Sequence, residues 1–98
     1  MKFVQIMEFQ TSRIDEVMAL DQQWRESTVG RRTATAMNVT QDRDRPNTYV
    51  WMIEFPSYED AMRNNDLAET QQIAEQMMKL TDGPAVFRNL DVIDQRAL

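Results

Sequence analysis

Cysteine and histidine are both absent from the 98 residues of the chain. Without cysteine there are no disulfides, no thiolate nucleophile, and no ligands for iron–sulfur clusters or Cys-based zinc sites. Without histidine the chain lacks the usual general base, the commonest metal ligand and the usual proximal haem ligand, and a Ser-His-Asp triad is impossible. We therefore expect neither a metal site nor a cofactor, and any catalysis has to be carboxylate-, tyrosine- or substrate-assisted.

Glycine, lysine and long apolar runs are also scarce. The only glycines, Gly30 and Gly83, are too few for a Gly-rich phosphate-binding loop. The net charge is −5 and the only lysines are Lys2 and Lys79, so neither nucleic acid nor an anionic membrane is an expected partner. No apolar run is long enough to span a bilayer, and the first residues enter a strand pattern with no secretory leader, so we expect a cytoplasmic protein.

The chain begins with a strand pattern followed by a helix pattern. Apolar residues dominate positions 3–9, which indicates a first strand. Thr11-Ser12 offers a helix N-cap, Asp15 stands three residues after Ser12, and Gly30 is suited to end the helix. Four of the five residues at helical spacing are apolar, which predicts an amphipathic helix: Ile14, Val17, Met18, Asp21 and Trp24.

A long β-hairpin is predicted next. Positions 32–40 alternate through threonines, alanines, Met37 and Val39, which predicts a strand with two modestly different faces. Positions 41–47 are charged and broken by a proline, which predicts a turn or loop. Positions 48–55 carry the strongest strand pattern of the chain. Asp42 and Asp44 in the loop lack the glycine and the distal glutamate of a calcium-binding EF-hand, so they are expected to be solvated charge.

The second half of the chain predicts an interrupted helix and a final strand. Ser57 is suited to cap the helix, and the Asn-Asn-Asp run ending at Asp66 is expected to interrupt it, with Asp66 capping a second segment. Residues 82–84 end that segment, and positions 86–93 form the last strand. The predicted buried stripe of the second segment is Leu67, Thr70, Ile73, Ala74, Met77 and Leu80.

This order of elements predicts a single α+β domain over residues 1–98, with a ferredoxin-like βαββαβ fold. In such a fold a four-stranded antiparallel sheet carries both helices on one face. If the second face of the sheet were solvated, every other strand residue should be polar. In the third strand, however, the two alternating sets of residues, one for each face, both contain large apolar side chains. One set is Tyr49, Trp51, Ile53 and Phe55, and the other is Thr48, Val50, Met52 and Glu54. A monomer would expose an unusually large apolar patch, so we expect a homodimer through the open sheet face.

The junction of the third strand and the second helix reads IEFPSYEDAM at residues 53–62. This run and the element order resemble the dimeric α/β-barrel superfamily over nearly the full chain, in particular its small antibiotic-biosynthesis-monooxygenase-type proteins. The superfamily includes cofactor-free oxygenases of polyketide quinones, muconolactone isomerases and haem-degrading enzymes. The haem-degrading members use an asparagine on the first strand and a tryptophan and a histidine on the second helix. Here Gln5 and Met7 occupy the first strand and histidine is absent, which excludes that activity.

The resemblance to the quinone oxygenases implies asparagine, tryptophan, tyrosine and arginine side chains around a cleft between helices and sheet. The candidate ligand-binding residues of these types are Trp24, Asn38, Tyr49, Trp51 and Arg88. For Tyr49 and Trp51 the alternative is packing in the core under the helices, which we favour because aromatic side chains bury much area there. Glu54 and Arg88 interrupt apolar strands, and we expect them to pair with each other or across the dimer.

Three functions follow from this reading. The first is a small-molecule-binding barrel related to cofactor-free monooxygenases, acting on an aromatic or polyketide-type substrate. The second is a non-catalytic dimeric structural or interaction domain. The third is an RNA-recognition motif, which shares the element order, but the acidic charge and the scarcity of basic residues beside the aromatics argue against it.

Overall fold

A four-stranded antiparallel sheet with three helices packed on one face makes up the structure, a computed structural model that describes all 98 residues. The elements are β1 (Phe3–Gln10), α1 (Ile14–Ser27), β2 (Ala36–Gln41), β3 (Thr48–Phe55), α2 (Tyr58–Asn65), α3 (Ala68–Met78) and β4 (Val86–Asp91). The predicted α+β class, element order and interrupted second helix are confirmed. None of the helices is both long and apolar enough to cross a membrane.

The strands lie in the order β2-β3-β1-β4, so the two most apolar strands occupy the centre of the sheet. In the register of β1 and β3, Phe3 lies opposite Phe55, Met7 opposite Trp51 and Phe9 opposite Tyr49. Directly opposed residues in an antiparallel pair share a face, so these side chains all lie on the side of the helices. The other set of each strand forms what we call the open face: Val4, Ile6, Glu8, Gln10, Ala36, Asn38, Thr40, Thr48, Val50, Met52, Glu54, Val86, Arg88 and Leu90.

Two apolar clusters hold the helices on the sheet. The larger one joins the sheet to α1 and α3 through Phe9, Val17, Tyr49, Trp51 and Met77, and the smaller one joins it to α2 through Phe3, Phe55 and Ala61. The Phe9 ring stacks on Tyr49 at 5.8 Å and meets Trp51 edge-on at 5.2 Å, both within the range of favourable aromatic pairs. The expected core packing of Tyr49 and Trp51 is therefore confirmed.

The predicted N-cap of α1 at Thr11-Ser12 is wrong, because Arg13 takes the N-cap position and no side chain caps the helix. The Thr11 hydroxyl accepts a hydrogen bond from the Arg13 backbone N–H at 2.9 Å and donates one to the Leu80 carbonyl at 2.6 Å. Ser12 is exposed and Thr11 is fully buried, so only Thr11 can link the helix start to the segment after α3. Gly30 lies in the turn after α1 with a φ of 78°, a conformation that favours glycine.

The helix break between α2 and α3 lies where the polar run predicts it. Ser57 caps α2 as expected, because its hydroxyl accepts a hydrogen bond from the Asp60 backbone N–H at 3.1 Å. The expected capping of α3 by Asp66 is wrong. The Asp66 backbone is helical and its N–H donates to the Met62 carbonyl at 3.1 Å, so this residue ends α2, and Leu67 precedes α3 in an extended conformation.

Both outer strands are shorter than the patterns predict. The second strand is predicted from position 32 but begins at Ala36, because the preceding segment bonds to α2: the Thr33 hydroxyl donates to the Asp60 carbonyl, and the Thr33 N–H donates to Asn64 Oδ1. The last strand ends at Asp91 and not at position 93, although the Val92 N–H still donates to the Lys2 carbonyl at 2.9 Å.

Glu54 and Arg88 do not pair with each other within the chain. The central strand β1 lies between β3 and β4 and separates them. Glu54 pairs instead with Lys2, the residue before β1, and Arg88 pairs with Glu8 on β1. Glu54 Oε1 lies 2.8 Å from Lys2 Nζ, and Arg88 Nη2 lies 3.7 Å from Glu8 Oε1.

Candidate functional site

A cavity of about 590 Å³ lies between the helices and the sheet. Alternation along the strands turns Met7, Trp51 and Ile53 towards it, and the helical repeat of α3 turns Ile73 and Met77 towards it from the other side. Most of the lining is apolar, and its size lies within the range of small-molecule sites. The predicted stripe of α3 is therefore only partly buried, because Thr70, Ile73 and Ala74 face this open space.

Trp24 connects two helices at the wall of the cavity. Its indole Nε1–H donates a hydrogen bond to Thr70 Oγ1 on α3 at 2.8 Å, and the Arg32 guanidinium lies over its ring, 5.8 Å from the centroid. The Arg32 Nη1 also donates to the Arg25 carbonyl at 2.7 Å, which fixes this cation beside the end of α1. Both side chains of this cation–π pair line the cavity.

Asp21 is a buried carboxylate in the cavity wall. It lies on α1 with 5% of its surface exposed, and its Oδ2 is 3.1 Å from the Nε of Arg25, one turn further along the helix. Burial raises the pKa of Asp21, and the positive charges of Arg25 and Arg32 offset this rise only in part. The site therefore contains a carboxylate that binds a proton more readily than an exposed aspartate does.

Two amides add neutral polar groups to the lining. Asn64, at the end of α2, is buried and accepts a hydrogen bond from the Thr33 backbone N–H at 3.4 Å. Gln5, on β1, contacts Asn89 Oδ1 through its Nε2 at 3.5 Å. Together with Asp21 and the arginines they give the cavity a few polar groups among apolar walls, an arrangement that orients small ligands.

The indole N–H of Trp51 has no hydrogen-bond partner. The residue is 3% exposed, and its Nε1 is closed off from solvent as well. A buried donor without an acceptor costs about 1–3 kcal/mol. Trp51 lines the cavity with other atoms of its ring system, so a ligand reaches Nε1 only if neighbouring side chains move.

The structure brings two of the five candidate ligand-binding residues to the cavity and leaves three outside its lining. Trp24 and Trp51 line it, and Tyr49 packs against Phe9 in the core. Asn38, opposite Met52, and Arg88, opposite Ile6, are exposed on the open face. The binding role stays a prediction for Trp24 and Trp51.

Asp21 is a residue of the site that is not among the candidates predicted from the sequence. The signal was present, because Asp21 is the one charged residue in the otherwise apolar stripe of the first helix. A charged residue at a core-facing position has to be paired or functional. No group of three or more acidic side chains comes together in a way that could hold a metal ion.

Replacing Asp21 with asparagine is expected to raise the melting temperature at pH 7 by a few degrees. Because burial raises the pKa of Asp21 above its unfolded value of about 3.9, the folded chain binds this proton more tightly than the unfolded chain. Wild-type stability therefore falls as pH rises from about 3.9 to the raised pKa, and the destabilisation is complete above it.

Calorimetry at pH 7 and near pH 3 tests this expectation, since the advantage of Asp21→Asn should disappear at the acidic pH. The exposed Asp15 on the same helix provides a control, and Asp15→Asn is not expected to gain stability. A lower melting temperature of Asp21→Asn at pH 7 would show that the ion pair with Arg25 outweighs the burial.

The arrangement of sheet and helices is that of ferredoxin-like proteins of the antibiotic-biosynthesis-monooxygenase type, whose solved structures superpose on nearly the whole chain with TM-scores of 0.75–0.82. The fold class and the resemblance are therefore confirmed. No protein-family model and no curated protein sequence matches this chain.

Three of the similar structures illustrate the range of these proteins. Rv0793 from Mycobacterium tuberculosis is 13% identical, with a TM-score of 0.81 over 99% of this chain and 100% of that one. SnoaB from Streptomyces nogalater, a cofactor-independent oxygenase, is 10% identical, with a TM-score of 0.80 over 96% of this chain and 95% of its own. An antibiotic biosynthesis monooxygenase is 17% identical, with a TM-score of 0.75 over 96% and 100%. At such identities the similarity is one of fold.

Proposed function

We propose that the protein is a cofactor-independent monooxygenase that binds a flat aromatic or polyketide-type molecule in the cavity between helices and sheet. The observation that carries this proposal is the cavity itself, with two tryptophans in apolar walls and a buried carboxylate beside two arginines. SnoaB, described as a cofactor-independent oxygenase, shares the fold. Fold alone does not define an activity, so the proposal depends on the chemistry of the cavity.

The cavity, with a volume of about 590 Å³, has ample room for a planar polycyclic molecule. Trp24, Trp51 and Ile73 offer apolar contact area, and aromatic rings pair favourably with such side chains. Asp21 and Arg32 give the cavity one charged side, which would orient the carbonyl or hydroxyl end of the ligand.

Oxygenation without a cofactor requires a substrate that supplies its own electrons. A carbon acid such as anthrone, on losing the proton from its CH₂ group, becomes a carbanion that dioxygen can oxidise. Dioxygen then forms a peroxide at that carbon, and loss of water leaves a second carbonyl group. One anthrone and one dioxygen give one anthraquinone and one water, so dioxygen is the only oxidant needed.

Anthrone and dioxygen provide the test of this proposal. In the presence of the protein, anthrone should be converted to anthraquinone faster than it oxidises spontaneously, with one dioxygen consumed per anthrone. Absorbance and an oxygen electrode measure the two quantities. If anthrone neither shifts the melting temperature nor oxidises faster with the protein, the proposed function is wrong.

A matched pair of variants links this activity to the cavity. Ala74 lies on α3 and lines the cavity, so the bulky side chain of Ala74→Trp would occupy the ligand volume and should abolish the activity. Ala19 is exposed on α1 outside the lining, so Ala19→Trp should keep it. Equal activity of the two variants would place the reaction elsewhere.

The open face of the sheet favours a second copy of the chain as its cover, and we propose that the protein is a homodimer. Val86 and Leu90 are about half exposed there, next to the partly covered side chains of Val4, Ile6, Val50 and Met52. The same face carries Glu8 and Arg88, and a surface with charges of both signs can be self-complementary across a two-fold axis. Sedimentation should give twice the chain mass of 11.5 kDa.

The open face does not have the features of an RNA-binding sheet. RNA-recognition motifs stack bases on aromatic side chains of their sheet. Here Phe9, Tyr49 and Trp51 all lie on the helix side, and the open face has no aromatic residue. The structure therefore gives no support to the RNA-recognition hypothesis.

A further inference from the structure

Asp21 is the only carboxylate that lines the cavity, and Arg25 and Arg32 are the only cations that do so. All three belong to α1 or to the turn after it, since the strands, α2 and α3 contribute only neutral side chains. No lysine or tyrosine lines the cavity either, and the chain has no histidine or cysteine. The cavity therefore holds one side chain that can act as a base near neutral pH.

The surroundings of Asp21 leave it free to interact with a bound molecule. Its one ion-pair partner is Arg25, whose Nε lies 3.1 Å from Oδ2, and the side chain of Arg25 is about half exposed. No backbone N–H supports the carboxylate. An ionised carboxylate has about four acceptor sites, so Arg25 leaves Asp21 with acceptor capacity for a bound molecule.

The charges around Asp21 match the charge that proton removal creates. With Asp21 ionised, the three charged residues of the lining sum to one positive charge, and with Asp21 protonated they sum to two. A carbanion conjugated with a carbonyl group, as in anthrone through its aromatic rings, places its negative charge mainly on the carbonyl oxygen. That charge would face Arg25 and Arg32 at the moment when Asp21 has become neutral, so the site stabilises the product of the proton transfer.

We infer that Asp21 is the catalytic proton acceptor of the proposed reaction, an assignment that rests on the proposed function. The substrate C–H bond breaks, an O–H bond forms on the Asp21 carboxylate, and the electron pair of the C–H bond moves to the substrate carbonyl oxygen. The same proton returns from Asp21 when the peroxide loses water, so the carboxylate is regenerated in each cycle.

Hydrogen–deuterium exchange at the CH₂ group of anthrone, measured by NMR in D₂O without dioxygen, tests this step apart from oxygenation. The wild-type protein should accelerate the exchange. Asp21→Asn, which has nearly the same shape, should lose about 10²- to 10⁴-fold of the accelerated rate, while its affinity for anthrone stays within a few-fold of wild type. Asp15→Asn, an exposed control on the same helix, should retain the wild-type rate.

A conservative variant separates a chemical role from a structural one. Asp21→Glu keeps the carboxylate and should recover part of the exchange rate that Asp21→Asn loses. It also keeps the experiment decisive if the amide variant does not fold, because a folded Asp21→Glu with no exchange activity at any pH would argue against the assignment.

The possible outcomes distinguish this inference from the proposed function. If Asp21→Asn exchanges or oxidises anthrone as fast as wild type does, the assignment of Asp21 is overturned while the oxygenase function stands. If the wild type accelerates exchange through Asp21 but consumes no dioxygen, the assignment stands and the oxygenase function falls. Absence of accelerated exchange in the wild type overturns the assignment.

Discussion

Trp51→Ala is expected to lower the free energy of unfolding by about 3–5 kcal/mol. Trp51 is almost fully buried in the larger apolar cluster, which joins the sheet to α1 and α3. Its ring meets the Phe9 ring edge-on. Truncation to alanine removes the buried area and enlarges a cavity that is already present. Urea denaturation followed by circular dichroism measures the loss.

Trp51→Phe separates packing from the unpaired indole N–H. Phenylalanine keeps one aromatic ring and removes a buried donor that has no acceptor. Trp51→Phe should therefore lower the free energy of unfolding much less than Trp51→Ala does. Trp24→Ala is a second comparison, because this partly exposed residue lies at the cavity wall and should lose less stability than Trp51→Ala. If Trp51→Ala unfolds like the wild type and only loses anthrone binding, the main role of Trp51 is ligand binding and its packing adds little stability.

Leu90→Asp is expected to convert the proposed homodimer into a monomer. Leu90 lies on the open face of β4 with 45% of its surface exposed. In a dimer through this face, each copy would bury an aspartate without a partner, which costs about 3 kcal/mol or more. That corresponds to at least a 100-fold weaker association. Sedimentation equilibrium over a range of concentrations gives the dissociation constant.

Val39→Asp is the matched control for Leu90→Asp. Val39 is 43% exposed, nearly the same as Leu90, but in the register of β2 it lies opposite Trp51 on the helix side of the sheet. This variant should remain dimeric. A wild-type protein that stays monomeric at high concentration, or two variants with the same dissociation constant, would contradict a dimer through the open face.

The capping errors show where local pattern stops being sufficient. Ser57 was predicted correctly because its cap depends on residues within one helical turn. At the start of α1, Arg13 takes the N-cap position, and the Thr11 hydroxyl binds the Leu80 carbonyl, 69 positions away in the sequence. Propensity cannot report such a contact, since it depends on how α3 and β1 end near each other.

The candidate site was only half predictable for the same reason. Strand alternation identified the two faces of β3 correctly, and Trp51 lines the cavity as its face requires. Alternation does not pair the faces of different strands, so Asn38 and Arg88 were grouped with residues of the opposite face. The helical pattern shows that Asp21 interrupts an apolar stripe. It does not show that a cavity lies beside Asp21, because the cavity depends on how α1, α3 and the sheet pack.

The amino-acid sequence by itself determined the order of the elements, the two-faced strands and the absence of cysteine and histidine chemistry. These properties depend on residue type and on spacing along the chain, with periods of 2 and 3.6 residues. The tertiary structure decided the strand order, the partners of Glu54 and Arg88, and the position of Asp21 against the cavity. Those properties arise from contacts between distant segments, because strand pairing and helix packing are set by the burial of the whole core and not by any one segment.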